Sequence, residues 1–183
     1  MVDEPSNAEV VRLQLLVLRC QAGDEDAFAK LFREFAPKTL AYLRGVLDDD
    51  ADDVQQEVWL TVYRNLRGLA KPGVFRTWLF STTRHRAIDF LRRRKREREL
   101  LTDVPAETVD IASPTDDEMT VLGPEMDEAL AALPAPQREV LLLRYGDGLD
   151  YGEIAVVVGV AIGTVRSRLH HAKKRLKELL TQA

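Results

Sequence analysis

Between Thr164 and Arg175 the chain concentrates groups that can hydrogen-bond and neutralise an anionic polymer: Thr164, Arg166, Ser167, Arg168, His170, His171, Lys173, Lys174 and Arg175. The apolar residues threaded among them, Val165, Leu169, Ala172, Leu176 and Leu179, are spaced 4, 3, 4 and 3. That spacing is one stripe of an amphipathic helix, so the stripe faces a core and the polar groups face outward. The pattern predicts a long helix from about Ile162 to Leu180. A short helix over Tyr151–Val158 and a turn at Gly159 precede it. A short helix, a glycine turn and a longer basic helix are the parts that lay a second helix in the major groove of duplex DNA. Thr164, Arg166, Ser167, Arg168, His171 and Lys174 are the candidate contacts. Those near the helix start approach base edges, and the later cations suit phosphates. One Arg bidentate to guanine supplies about 1–3 kcal/mol of base discrimination.

Residues for catalysis are not similarly assembled. His85, His170 and His171 are the only histidines, and each lies in a basic segment rather than beside a carboxylate and a nucleophile. His170 and His171 are adjacent, so on a helix they diverge by about 100° and make no i, i+4 metal pair. Cys20 is the single cysteine, which excludes an internal disulfide and a multi-cysteine zinc site. Its apolar setting, Leu15-Leu16-Val17-Leu18, predicts a buried, inert thiol. The expectation is a non-enzyme with no cofactor and no metal.

The helices have to be positioned by the rest of a 183-residue chain that is 45% hydrophobic and 31% charged. Its net charge of −4 conceals a segregation. No Lys or Arg occurs between Glu99 and Gln137, while basic blocks occupy Arg84–Arg98 and Arg166–Lys177. The start of the chain is acidic (Asp3, Glu4) and its first apolar run is broken by Arg12 and Gln14, unlike a secretory signal. No apolar stretch has the length of a membrane span, so a cytoplasmic protein without membrane insertion is expected.

Strand signals are absent, and an all-α fold of two small helical domains is expected, 8–98 and 125–183, joined by a flexible acidic linker over 99–124. In the first, Asp24 is placed to cap a helix bearing Phe28, Leu31, Phe32 and Phe35, with a break near Pro37 before Leu40, Leu43 and Leu47. Asp48-Asp49-Asp50 opens another helix, carrying the stripe Val54, Val58, Val62 and Leu66. Gly68–Gly73 separates it from a last helix over Phe75–Arg96. In the second domain Met126–Leu133 and Gln137–Arg144 are expected helices, the first closed by Pro134 and Pro136. Val156-Val157-Val158 favours a strand on propensity alone, but packing among helices should override it.

Tyr151-Gly-Glu-Ile-Ala, Gly159-Val and Gly163-Thr-Val-Arg-Ser-Arg-Leu169 resemble the last helix-turn-helix of bacterial sigma-70 family sigma factors, most closely the extracytoplasmic-function (ECF) group. Leu133-Pro, Gln137-Arg-Glu and Leu141-Leu-Leu-Arg-Tyr145 match the first half of the same domain. Asp24-Glu-Asp-Ala-Phe28, Asp52-Asp-Val-Gln-Gln-Glu-Val-Trp59, Phe75-Arg-Thr-Trp78-Leu79, Arg86-Ala-Ile-Asp89 and Leu91-Arg-Arg93 resemble domain 2 of these proteins. The resemblance implies that the first domain binds the clamp helices of the RNA polymerase β′ subunit and opens the −10 element. The second would read −35 duplex and touch the β flap, with the linker in or near the RNA exit path. It also implies control by an anti-sigma partner.

Under that resemblance Asp53, Gln56 and Glu57, which share a helix face at i, i+3 and i+4, would bind core polymerase by offering acceptors to a partner Arg. Trp78, Arg84, His85, Arg92 and Arg93 would hold the melted −10 strand through stacking and positive charge. The run Arg92–Arg96 suits phosphate contact. The −10 and −35 centres lie about 25 base pairs, or roughly 85 Å, apart. A linker of about 26 residues reaches roughly 85 Å when extended. Two departures from the family pattern stand out. Ala161 replaces the common Ser at the start of the reading helix, so Thr164 is a rival start, and His85 replaces a common Asn. An alternative of another class is a regulator whose helix-turn-helix binds an operator without joining the polymerase. That regulator would need neither the Asp53-Gln56-Glu57 face nor the aromatic-basic helix.

Overall fold

A computed structural model describes residues 6–47, 50–101 and 124–182. Its regular elements are helices α1 (Asn7–Gln21), α2 (Glu25–Arg44), α3 (Ala51–Asn65), α4 (Phe75–Leu101), α5 (Pro124–Ala131), α6 (Ala135–Leu141), α7 (Tyr151–Val158) and α8 (Ile162–Gln182). No strand occurs among the described residues. The all-α expectation is met. The segment 102–123, which holds most of the expected linker, lies outside the described residues. The ends of that expected segment are helical instead, because α4 continues through Leu101 and α5 begins at Pro124.

Helix α1 starts earlier than its apolar pattern suggests. Ser6 accepts from Glu9 N at 3.2 Å while Glu9 accepts from Ser6 N at 2.8 Å, a reciprocal capping box. The chain then turns at Gly23, whose φ of +92° is easy only without a Cβ. Asp24 caps α2 as expected, accepting from Ala27 N at 2.9 Å. Helix α2 does not break at Pro37 but runs through to Arg44. An internal proline costs a helix about 3 kcal/mol or more. Here Phe35 and Ala36 before it, and Thr39, Tyr42 and Leu43 after it, are all buried. Continuing the helix keeps both sets in one core, which offsets the lost backbone bond.

Asp50 precedes α3 without a side-chain cap and pairs instead with Arg94 of α4 at 2.7 Å. The expected apolar stripe of α3 is buried at Val54, Val58 and Val62. Gln55 Nε2 donates to the Ala36 carbonyl at 2.8 Å and pins α3 to α2. Cys20 is buried in this bundle, and burial pushes its thiol up, in keeping with an inert group.

In the C-terminal bundle α6 widens into a single π turn over Leu142–Gly146 before the chain reverses. Asp150 and Glu153 form a capping box at the start of α7. Val156-Val157-Val158 is helical, since Val157 and Val158 are buried against the neighbouring helices. Gly159, with φ +74°, makes the turn into α8. The two bundles do not stand apart. Helix α4 packs on α7, α2 packs on the π turn, and the buried residues of both halves form one contiguous core.

Candidate functional site

Helix α8 buries Val165, Leu169 and Ala172, which turns Arg166, Ser167, His170, His171, Lys173 and Lys174 out to solvent. Four of the six expected duplex contacts, Arg166, Ser167, His171 and Lys174, therefore share an exposed surface. Thr164 and Arg168 are half-buried, so Arg168 is less available than its place in the sequence suggests. The helix opens at Ile162 with Ala161 as its boundary residue, and Val165 N donates to the Ala161 carbonyl at 3.2 Å. Thr164 does not move the start. Its carbonyl takes a bond from Ser167 Oγ at 3.0 Å, so that hydroxyl keeps only its acceptor capacity for a ligand. Lys173 Nζ stands as a cation over the Tyr145 ring, 5.2 Å from its centroid.

On α3, Asp53 and Gln56 are exposed and Glu57 is half-exposed. Glu57 receives Arg93 Nη2 at 3.0 and 3.2 Å, so a residue expected to bind protein is joined to one expected to bind DNA. The sequence reading missed the apolar shelf beside them. Leu60 is 54% and Tyr63 60% exposed, one and two turns beyond Gln56 and Glu57 on the same face. Phe32 of α2, 4.8 Å from the Trp59 ring, extends the shelf and is itself partly exposed. The signal was available: both residues fall off the Val54-Val58-Val62 stripe.

The expected single-strand contacts on α4 divide. His85, Arg92 and Arg93 are exposed. Trp78 is half-buried, packs on the core and lies 6.2 Å from the Phe75 ring, so it serves packing while keeping one part open. Arg84 is engaged. Its Nε donates to Glu139 Oε1 of α6 at 2.8 Å, and Tyr42 Oη donates to the same oxygen at 2.8 Å. Glu139 is 2% exposed, and burial next to it drives the Tyr42 hydroxyl well above its ordinary range.

A second ionic group lies beside the first. Arg76 donates through Nη2 to the Asp147 carbonyl and through Nε to Asp147 Oδ2 at 3.4 Å. Lys38 Nζ lies 3.1 Å from Asp147 Oδ1, and Thr77 Oγ1 donates to Glu153 Oε1 at 3.0 Å. None of Lys38, Tyr42, Arg76, Thr77, Glu139, Asp147 or Glu153 was expected as a site residue. They are far apart in the chain, and only Glu139, a charge one turn before Leu143 in a leucine-rich helix, carries a hint of burial.

Burial raises the Asp147 carboxyl above its ordinary value, and the Arg76 and Lys38 charges recover only part of the shift. A raised carboxyl in the folded chain means that folding takes up a proton, so its unfavourable charging is relieved as pH falls through the raised value. Asn mimics the protonated form. The stability advantage of Asp147→Asn over wild type is therefore expected to be largest at neutral pH and to narrow as pH falls toward 3.8. Paired melting curves across that range check it, and a gap that widens on acidification would refute the assignment.

Among the described residues no cluster of three or more His, Cys, Asp or Glu could hold a metal, and no helix is long and apolar enough to cross a membrane. Residues 31–97 match the family model for sigma-70 region 2, and residues 124–176 match that for sigma-70 region 4. The RNA polymerase sigma-H factor of Pseudomonas aeruginosa is 34% identical over 190 residues, covering 93% of this chain and 96% of that protein. The ECF RNA polymerase sigma factor SigE of Mycolicibacterium smegmatis is 32% identical over 168 residues, covering 87% of this chain and 65% of that one. In three dimensions the chain resembles the sigma factor RpoE in its complex with the anti-sigma factor NepR from Bartonella quintana. The TM-score is 0.68 at 28% identity, over 84% of this chain and 96% of that one.

Proposed function

From the premise that this chain belongs to the ECF group of the sigma-70 family, we propose the following division of its surfaces. Residues 8–98 bind core RNA polymerase and the melted −10 strand, and residues 125–183 read −35 duplex. The observation that carries the second assignment is α8, where the buried Val165-Leu169-Ala172 stripe leaves Arg166, Ser167, His171 and Lys174 outward on one helix. Cations and hydroxyls on a rigid helix after a glycine turn are suited to a major groove.

The polymerase-facing surface is the acidic α3 face of Asp53, Gln56 and Glu57, extended by Leu60 and Tyr63. Carboxylates ringed by exposed apolar side chains fit a partner helix bearing Arg and apolar groups, since burial of the apolar rim strengthens the charged bonds. The −10 contacts are Trp78, Arg84, His85, Arg92 and Arg93. The protein acts as a cytoplasmic initiation factor without catalysis of its own. Its likeness to an RpoE that is bound to an anti-sigma factor supports a similar inhibitory partner here.

The test is reconstitution of core polymerase with this chain as the sole added sigma, followed by mapping of transcription starts. Start-site selection supports the reading; absence of core binding rejects it. Within that assay Asp53→Ala with Gln56→Ala should weaken core affinity about tenfold or more, as lost bonds to charged groups are worth about 1.5–3 kcal/mol each. Titration of labelled chain with core measures this, and an unaltered affinity would remove the α3 face from the interface.

A further inference from the structure

Five consecutive residues where α7 turns into α8, Gly159, Val160, Ala161, Ile162 and Gly163, carry no side-chain donor or acceptor. All but the half-buried Val160 are exposed. Ile162, the first residue of α8, is 47% exposed. Gly163 follows it without a positive φ, and a Cβ there would meet nothing within 4 Å. Neither backbone nor packing therefore requires a glycine, and the surface beside Ile162 is left bare. The outward polar groups begin one turn further on, at Arg166, four residues after Ile162 and likewise exposed.

We propose that Ile162 is a specificity-determining residue of the duplex reader, packing on the C5 methyl of a thymine in the major groove. This contact rests on the assignment of α8 to promoter duplex and adds the base that the leading edge of the helix selects. Residues at the start of a reading helix come closest to base edges, and Ile162 holds that place. In the major groove guanine, cytosine and adenine present donors and acceptors, whereas thymine adds a methyl group. A side chain without polar atoms leaves donors and acceptors unpaired when it covers them, at the cost of their desolvation. Against the methyl it makes a dry apolar contact instead. Gly163 puts no side chain between that contact and the groove. Four residues of helix advance about 6 Å, and stacked base pairs lie about 3.4 Å apart. The methyl is therefore expected within about two base pairs of the one that Arg166 reads. The guanidinium selects acceptors and the isoleucine selects a methyl, so the two side chains specify different bases.

Replacing thymine by deoxyuridine removes the methyl and keeps every hydrogen-bonding group. Core polymerase reconstituted with this chain would be titrated with promoter duplex from a mapped start site, each −35 thymine on either strand being replaced in turn. The expected result is one position near the Arg166 base pair where deoxyuridine weakens wild-type binding about fourfold, the worth of one buried methyl. In Ile162→Ala that preference should disappear. Val156→Ala, which removes a 68% exposed apolar side chain from α7, should keep it. Each chain is its own reference on the paired duplexes, so a general loss of affinity cancels. Ile162→Ser repeats the measurement should Ile162→Ala lose helix by circular dichroism. A −35 segment without thymine on either strand, or wild-type binding indifferent to every replacement, would overturn the methyl contact. So would a preference that persists in Ile162→Ala or is lost equally in Val156→Ala. In each of those cases weakened binding by Arg166→Ala would still leave α8 as the reader. Indifference both to the methyl and to the loss of Arg166 and Arg168 would reject α8 as the reader, and the methyl contact with it.

Discussion

Phe35→Ala is expected to destabilise the N-terminal bundle by about 3–5 kcal/mol, the range for removing a buried phenylalanine. Phe35 is 1% exposed, meets the Phe75 ring edge-on at 5.4 Å and carries Lys38 Nζ 5.1 Å above its face. The substitution removes the link between α2 and the first turn of α4, and leaves a cavity that helices tied on both sides of Pro37 cannot close. Small domains hold about 5–15 kcal/mol in total, so most of the reserve would go. Urea titration followed by circular dichroism checks it, with Arg166→Ala as a surface control expected within about 0.5 kcal/mol of wild type. A loss below about 1 kcal/mol would show that Phe35 does not organise this core. Because Lys38 reaches Asp147, the same variant is also expected to loosen the contact between the bundles.

Arg166→Ala should reduce affinity for promoter duplex about 5- to 150-fold, the equivalent of one bidentate base contact of about 1–3 kcal/mol. Its exposure on the outer face of α8 motivates the size. Arg168→Ala should do less, because that side chain is half-buried and already committed in part to the domain. Lys174→Ala, three turns from the helix start, should weaken all duplexes alike and reduce the salt dependence by about one ion, as expected for a phosphate contact. Core affinity should stay within error in all three. Footprinting and anisotropy on a duplex taken from a mapped start site would measure these effects. An unchanged footprint and affinity for Arg166→Ala and Arg168→Ala together would reject α8 as the reader.

How far the sequence reading reached depended on whether local pattern or distant partners decided each feature. Helix α8 was legible almost to its ends because its five-residue apolar stripe, the Gly159 turn and its cations are all local. Asp24 was legible as a cap for the same reason. Pro37 was misread, since a local rule for breaking helices lost to burial at Phe35, Ala36, Thr39, Tyr42 and Leu43. The Ser6–Glu9 capping box that opens α1 lies outside the apolar spacing and is seen only in the structure. Leu60 and Tyr63 were overlooked although their position off the buried stripe of α3 was visible.

The amino-acid sequence by itself thus determined the helices, their buried faces and the residue types proposed to meet DNA and polymerase. Those properties follow from periodicities of a few residues. Only the tertiary structure decided which of these groups are available. Arg84 looks like Arg92 in the sequence, yet one is held by Glu139, 55 residues away, and the other is exposed. Glu57 and Arg93, assigned to different partners, are bonded to each other across 36 residues. Ion pairs between distant segments depend on how whole helices pack, and the apolar repeat that packs them does not encode which charges meet.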